Sequence, residues 1–287
     1  METLSITPAV ALMYPAAFPF IVVLLLLPSL RFLPTKWQPR TLLIPDLIVL
    51  LGIILPFALF DPESIRHFFD PNRPMDWIPL LTLATFFVRN IVPPASRLLA
   101  ESGAMLAGLL LLTLPLLRQE SLTQGALSLS LTFAAWLAIR FSYPVDRIRG
   151  LDPVSLLPLF LTSASLAALS PLSGSLLLGQ LAGGLSAVFL AMCLAAPLGT
   201  RASGIEPGWM LGALLVIGLR YVDISADVIG FLALSLFIGG VAGRLLSLRG
   251  RTGTGKRVLI VTGLSLLPLA AGIFEALKDL KNQGGGY

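Results

Sequence analysis

The sequence predicts an all-α protein, a polytopic bundle of about ten transmembrane helices in a single integral membrane domain covering 1–287. Three observations carry that reading. Only 12% of the residues are charged and 56% are hydrophobic. A water-soluble domain has about twice that charged share, so this chain has too few charges to clothe a globule. The apolar residues fall in runs of roughly 20, the length that crosses about 30 Å of hydrocarbon. The cations gather in short connections between those runs, where orientation signals sit.

Taken in order, the apolar runs place spans at 9–30, 41–60, 77–92, 96–117, 125–141, 153–170, 173–198, 208–219, 225–246 and 258–277. The first run has no basic residue before it and no small-x-small cleavage pattern after it, so it reads as a retained helix. The third and eighth runs are short. The break between the sixth and seventh rests on Ser170-Pro171-Leu172-Ser173-Gly174, a turn-forming cluster; without it there are nine spans and the C-terminus changes sides.

Alternate connections differ sharply in charge. Of the 20 Lys and Arg, Arg66, Arg73, Arg118, Arg220, Lys278 and Lys281 fall on one side and the other 14 on the opposite side. Positive residues mark the cytoplasm, so both termini are expected outside it and the location is the inner (plasma) membrane. The net charge of +5 is then a topological signal and not a nucleic-acid footprint. Ten spans divide into five plus five, with halves 1–150 and 151–287. An odd half-count gives halves of opposite orientation, as in inverted-repeat transporters.

Small residues four apart make flat helix faces where backbones approach. Ala104-x-x-x-Gly108, Gly179-x-x-x-Gly183-x-x-x-Ala187, Gly208-x-x-x-Gly212 and Ser235-x-x-x-Gly239-x-x-x-Gly243 lie on the fourth, seventh, eighth and ninth spans. These four are expected to form a tight inner bundle. Trp37, Trp77, Trp136, Trp209 and Tyr221 lie near span ends, as interfacial anchors do.

Gly250-x-x-x-x-Gly255-Lys256 matches the first part of a phosphate-binding loop. That motif needs a strand before it and Ser or Thr after the lysine; here an apolar helix precedes it and Arg257 follows. The stretch reads instead as an orientation anchor whose cations, Arg244, Arg249, Arg251, Lys256 and Arg257, touch anionic lipid head groups.

Polar side chains at membrane depth are expensive and are therefore the candidates for a substrate or ion pathway. Asp46 lies about 9 Å into the second span at 1.5 Å per residue; its bland reading is a carboxylate at a helix N-terminus. Arg89 and Asn90 close the third span, where an arginine can snorkel to the interface. Glu101 lies four residues after Arg97, a spacing that also allows a same-face ion pair. Gln180 lies inside the glycine-rich seventh span, where it either bonds a neighbouring helix or lines a cavity. Arg220 and Asp223 form a candidate gate pair, beside Ser225 as an N-cap and Asp227 in the first turn that follows.

The single cysteine, Cys193, and the single histidine, His67, exclude an internal disulfide and Cys- or His-rich metal sites. No cofactor or metal is expected. His67 falls in an outer connection with no serine or cysteine nucleophile paired to it, so enzyme chemistry has little support. The expectation is a bacterial-type secondary transporter or permease for a small solute or ion, working by alternating access. The alternative is a non-catalytic membrane subunit or assembly component of a larger complex.

Overall fold

The computed structural model describes residues 8–29, 43–60, 73, 76–117, 121–142, 153–196, 207–222, 224–249 and 253–284. Among them are ten helices and no strand. They are α1 (Pro8–Ser29), α2 (Leu43–Phe60), α3 (Trp77–Ile91), α4 (Pro94–Leu117), α5 (Leu122–Ser142), α6 (Pro153–Leu172), α7 (Leu176–Ala195), α8 (Pro207–Tyr221), α9 (Ala226–Arg249) and α10 (Thr254–Gly284). Each occupies one of the apolar runs. Segments of α4, α6, α7, α9 and α10 are long and apolar enough to cross a membrane.

Several helix ends differ from expectation, and two of them have a clear physical reason. α6 runs over Pro171 and stops only at the Ser173–Gly174 turn. Gly174 has a φ of +86°, a left-handed conformation that suits glycine. Ser175 N–H then donates to the Ser170 carbonyl at 2.9 Å, and Gly174 N–H to the Pro171 carbonyl at 3.1 Å. This is a Schellman pair, which satisfies carbonyls the helix end leaves open. Ser175 also starts the next helix, its Oγ accepting from Leu178 N–H at 3.3 Å. One short turn therefore both closes α6 and caps α7.

At the cationic stretch, α9 continues to Arg249 and α10 begins at Thr254. Arg249, Lys256 and Arg257, expected in a loop, belong to helices. The expected ends followed apolarity alone, whereas Lys and Arg are good helix formers and extend a helix beyond its apolar core. Arg251 lies outside the described residues.

The packing has a centre. α8 contacts α3, α4, α5, α6, α7 and α9, and a closed ring runs around it in the order α3, α4, α5, α9, α6, α7, α2. α1 packs on α7 and α2 from outside, and α10 on α6 and α9. From Trp209 to Gly218 every α8 residue is buried except half-buried Gly212. A helix that is apolar all round belongs in an interior, and α8 carries no polar side chain over that stretch. The inner bundle of four expected from small-residue spacing is thus corrected. The fourth, seventh and ninth helices each touch the eighth without being neighbours of one another in the ring.

Glycines make the close approaches. A Cβ on Gly108 of α4 would lie 2.6 Å from Trp209 Cη2, so the missing side chain is the socket for the indole. Trp209, expected as an interfacial anchor, is 1% exposed, and Trp136 is likewise buried against Gly212. On α9, Gly239 is pressed between the Pro158 ring of α6 and the Ser265 hydroxyl of α10. One turn away, Ser235 Oγ–H donates to the Ser265 carbonyl at 2.9 Å.

The helix ends sort into two groups. Arg244 Nη1–H near the end of α9 donates to the Phe141 carbonyl near the end of α5 at 2.5 Å. Ser155, at the start of α6, lies beside Gly243 of α9. At the opposite group, Tyr221 O–H closing α8 donates to the Leu112 carbonyl of α4 at 2.6 Å. The α6–α7 turn, the α8–α9 turn and the C-terminal part of α10 line one cavity there. This is the grouping an up-and-down order of helices produces.

Candidate functional site

Glu101 is the sequence-predicted candidate whose placement is most informative. Glu101, Met105, Gly108, Leu109 and Leu112 are all buried, and their spacing defines one face of α4. Three of these positions meet α8: Met105 at Gly212, Gly108 at Trp209 and Leu112 at Tyr221. Glu101 continues the same face one turn toward the start of α4 and is 3% exposed. A carboxylate therefore sits on the face turned to the central helix, on the same stripe as Met105, Leu109 and Leu112.

Of the other candidates, Arg220 and Gln180 are the two whose side chains are described. Arg220 is half-buried in the last turn of α8, where a cation is favoured by the helix dipole. Gln180 is half-buried on α7, two residues from Leu178, which packs at Gly218 near the same end of α8. Arg220 and Gln180 thus lie toward the Tyr221 end. The Leu112 contact there is 11 residues along α4 from Glu101, about 16 Å at helical rise. Asp46, Arg89 and Asn90 lie on α2 and α3, but their side chains, and that of Arg97, fall outside those described. Asp223 lies outside the described residues.

Ser225 corrects one expectation outright. Its hydroxyl makes no hydrogen bond, so it does not cap α9, although its carbonyl accepts from Ile229 N–H at 3.1 Å. Most other buried hydroxyls hide their polarity by bonding a carbonyl of their own helix: Thr82 to Ile78 at 2.7 Å, Thr113 to Leu109 at 2.6 Å, Ser170 to Leu166 at 2.6 Å. Thr162 Oγ1, Ser265 Oγ, Ser225 Oγ and Trp209 Nε1 are buried with no partner.

Asp76 is a buried polar residue outside the candidates drawn from the sequence. It is fully buried at the start of α3. Its Oδ2 accepts from Arg73 N–H at 2.8 Å and its Oδ1 faces the Arg73 guanidinium at 3.5 Å. The Arg73-x-x-Asp76 spacing was the available signal, since charges three apart in a turn can close on each other. The pair closes the turn that leads into α3.

Two cavities lie near the Tyr221 end. One of about 430 Å³ is walled by Leu169, Leu172, Ser173, Gly174, Val222, Ile224, Ser225, Val228, Ala276, Asp279 and Leu280. The other, about 460 Å³, lies over Ala226, Asp227, Gly230, Phe231, Leu234 and Glu275. Glu101, Gln180 and Arg220 line neither. No group of three or more His, Cys, Asp or Glu suited to a metal ion occurs among the described residues.

Comparison of the chain with models of known protein families, with curated proteins and with solved structures gives no match. Placement of residues alone therefore carries the functional argument. The class defined to this point is an all-helical bundle with five helices suited to crossing a membrane.

Proposed function

We propose that the chain is a multi-pass inner-membrane secondary transporter that moves a small solute or ion by alternating access. The observation that carries this is a pair of short helices. α3 and α8 are 15 residues each, about 22 Å long against a hydrocarbon core of about 30 Å. They hold equivalent third positions in the two five-helix halves, and they touch each other. Short apolar segments at corresponding positions of two halves point to the binding site of inverted-repeat transporters. The contacts α1–α2, α2–α3, α3–α4 and α4–α5 have counterparts in α6–α7, α7–α8, α8–α9 and α9–α10. The symmetry is partial, because α8 is encircled while α3 sits in the ring. Glu101, buried on the face turned to α8, is the coupling carboxylate in this reading.

The test is charge movement. The protein in proteoliposomes on a solid-supported membrane should give transient currents on jumps in solute concentration, screened over small anions, cations and zwitterions. Glu101→Gln should reduce the proton- or sodium-dependent current at least about tenfold while the protein still elutes as a single species. Equal currents in the two proteins would remove Glu101 from the coupling role.

One observation favours the second reading, a non-catalytic subunit or assembly component. The encircled helix α8 offers no polar side chain from Trp209 to Leu219, so a pathway along it needs rearrangement of the ring. Purification in mild detergent separates the two ideas, since stoichiometric partners together with no current in any screen would favour the subunit.

Orientation follows the charge bias, with the cationic α9–α10 connection in the cytoplasm and both ends outside it. Arg244 spends one guanidinium N–H on the Phe141 carbonyl, while Lys256 is exposed and available to lipid phosphates. Glutamine at Arg244, Arg249, Arg251, Lys256 and Arg257 together should convert part of the population to inverted topology, read by reporter fusions on either side of α10. Unchanged reporter ratios would mean that the other connections suffice.

A further inference from the structure

We propose that the 430 Å³ cavity at the Tyr221 end is a binding site for a primary ammonium group carried on a short aliphatic body. The site stands apart from the transport reading, because it uses none of the residues invoked there.

Two polar groups face this cavity without partners. The Ser225 hydroxyl is buried and makes no hydrogen bond. Buried polar atoms are nearly always satisfied, and each exception calls for a cause such as a water or a ligand. Asp279 is half-buried, and its carboxylate has neither hydrogen bond nor ion pair among the described residues. The neighbouring cation acts on it through space but makes its ion pair elsewhere. Lys278 Nζ is bonded to Glu275 Oε1 at 2.6 Å. Ala276, Asp279 and Leu280 occupy another face of α10, at the three- and four-residue spacings that put side chains together, and that face is the one lining the cavity.

The remaining wall selects the ligand. Leu169, Leu172, Ile224, Val228 and Leu280 are aliphatic, and the described lining residues include no Lys or Arg. Glu275, Asp279 and Asp227 all act on Lys278, so carboxylates outnumber that one ammonium and an anion is disfavoured beside them. A hydroxyl and an unpaired carboxylate across an aliphatic wall fit an ammonium with two donor protons and an apolar tail. The volume falls within the roughly 300–1,000 Å³ of small-molecule sites. Such a group has two sources, a free alkylamine or the head group of phosphatidylethanolamine.

The experiment uses the full chain in nanodiscs of phosphatidylcholine and phosphatidylglycerol, titrated with hexylammonium by calorimetry. Saturable binding at one site is expected, with hexanoate showing none. Asp279→Asn should weaken it at least about tenfold and Ser225→Ala about threefold, as loss of a charged and a neutral hydrogen bond imply. Both variants should keep the wild-type melting temperature, because neither side chain has a partner to lose. Repetition in discs containing phosphatidylethanolamine identifies the source. Weaker apparent affinity there assigns the site to the head group, and unchanged affinity assigns it to a free amine. No saturable binding in either disc, equal binding of hexanoate, or indifference to Asp279→Asn would overturn the proposal.

Discussion

Valine at position 239 is expected to leave little folded protein, and alanine there to lower stability by about 1–3 kcal/mol, the range for overpacking a close-packed site. An added Cβ on Gly239 meets two different obstacles. The Ser265 hydroxyl is the end of a side chain and can rotate away. The Pro158 ring is fixed to its own helix backbone and cannot. α9 would have to withdraw from α6, and the Ser235–Ser265 hydrogen bond one turn along would lengthen with it. Interiors respond to one extra methyl because they are packed like crystals. The control is Gly230→Ala on the same helix, where a new Cβ meets nothing within 4 Å and the gain in helix propensity, up to about 1 kcal/mol, should stabilise. Heated aliquots followed by size-exclusion chromatography would rank the three proteins. An alanine variant at Gly239 that melts with the wild type would mean that α6, α9 and α10 are not packed this closely.

Trp209 gives the second large effect. Truncation to alanine empties the socket that Gly108 provides at the heart of the ring, with an expected loss of about 3–5 kcal/mol. Phenylalanine should be much milder. It keeps most of the ring volume and removes an indole N–H that has no acceptor, a group whose burial costs roughly 1–3 kcal/mol. Unfolding in detergent, followed by the remaining tryptophans, would show alanine far below phenylalanine. Should phenylalanine prove as damaging as alanine, the indole N–H must find an acceptor that the present placement does not give it.

These two positions also show what the sequence could tell. Ten apolar runs located the ten helices of the described residues, because an apolar run and a buried helix are the same fact seen along one chain. Gly239 and Gly108 were legible as close-approach residues for a similar reason, since only absent side chains permit such contact. Their partners were not legible. Nothing near Trp209 in the chain distinguishes a tryptophan at an interface from one in a socket, and the deciding residue, Gly108, lies on another helix. The central place of α8 was hidden for a related reason. When most helices are apolar on every side, hydrophobic patterning no longer says which face, or which helix, is innermost.

Polar positions were harder still. Glu101 stood out because a carboxylate in an apolar run is conspicuous wherever it points. Ser225 was misjudged as a cap from local spacing, while Ser175, five residues beyond Ser170 in the same turn, does that work. Asp279, near the end of the tenth span, carries no mark in the sequence that sets it apart. Its significance depends on a cavity assembled from three separate turns and helix ends, which no local pattern records. The pairing of Lys278 with Glu275, by contrast, follows directly from their three-residue spacing.

The ring around α8 bears on how the molecule is made. Translation delivers α2 to α7 first, then the helix that six of its neighbours must enclose, and only afterwards α9, which closes the circle between α5 and α6. The two halves interlock, since α1 and α2 lean on α7 and α4 and α5 lean on α8. The ring around α8 is therefore complete only once the helix that follows it in the chain is in place.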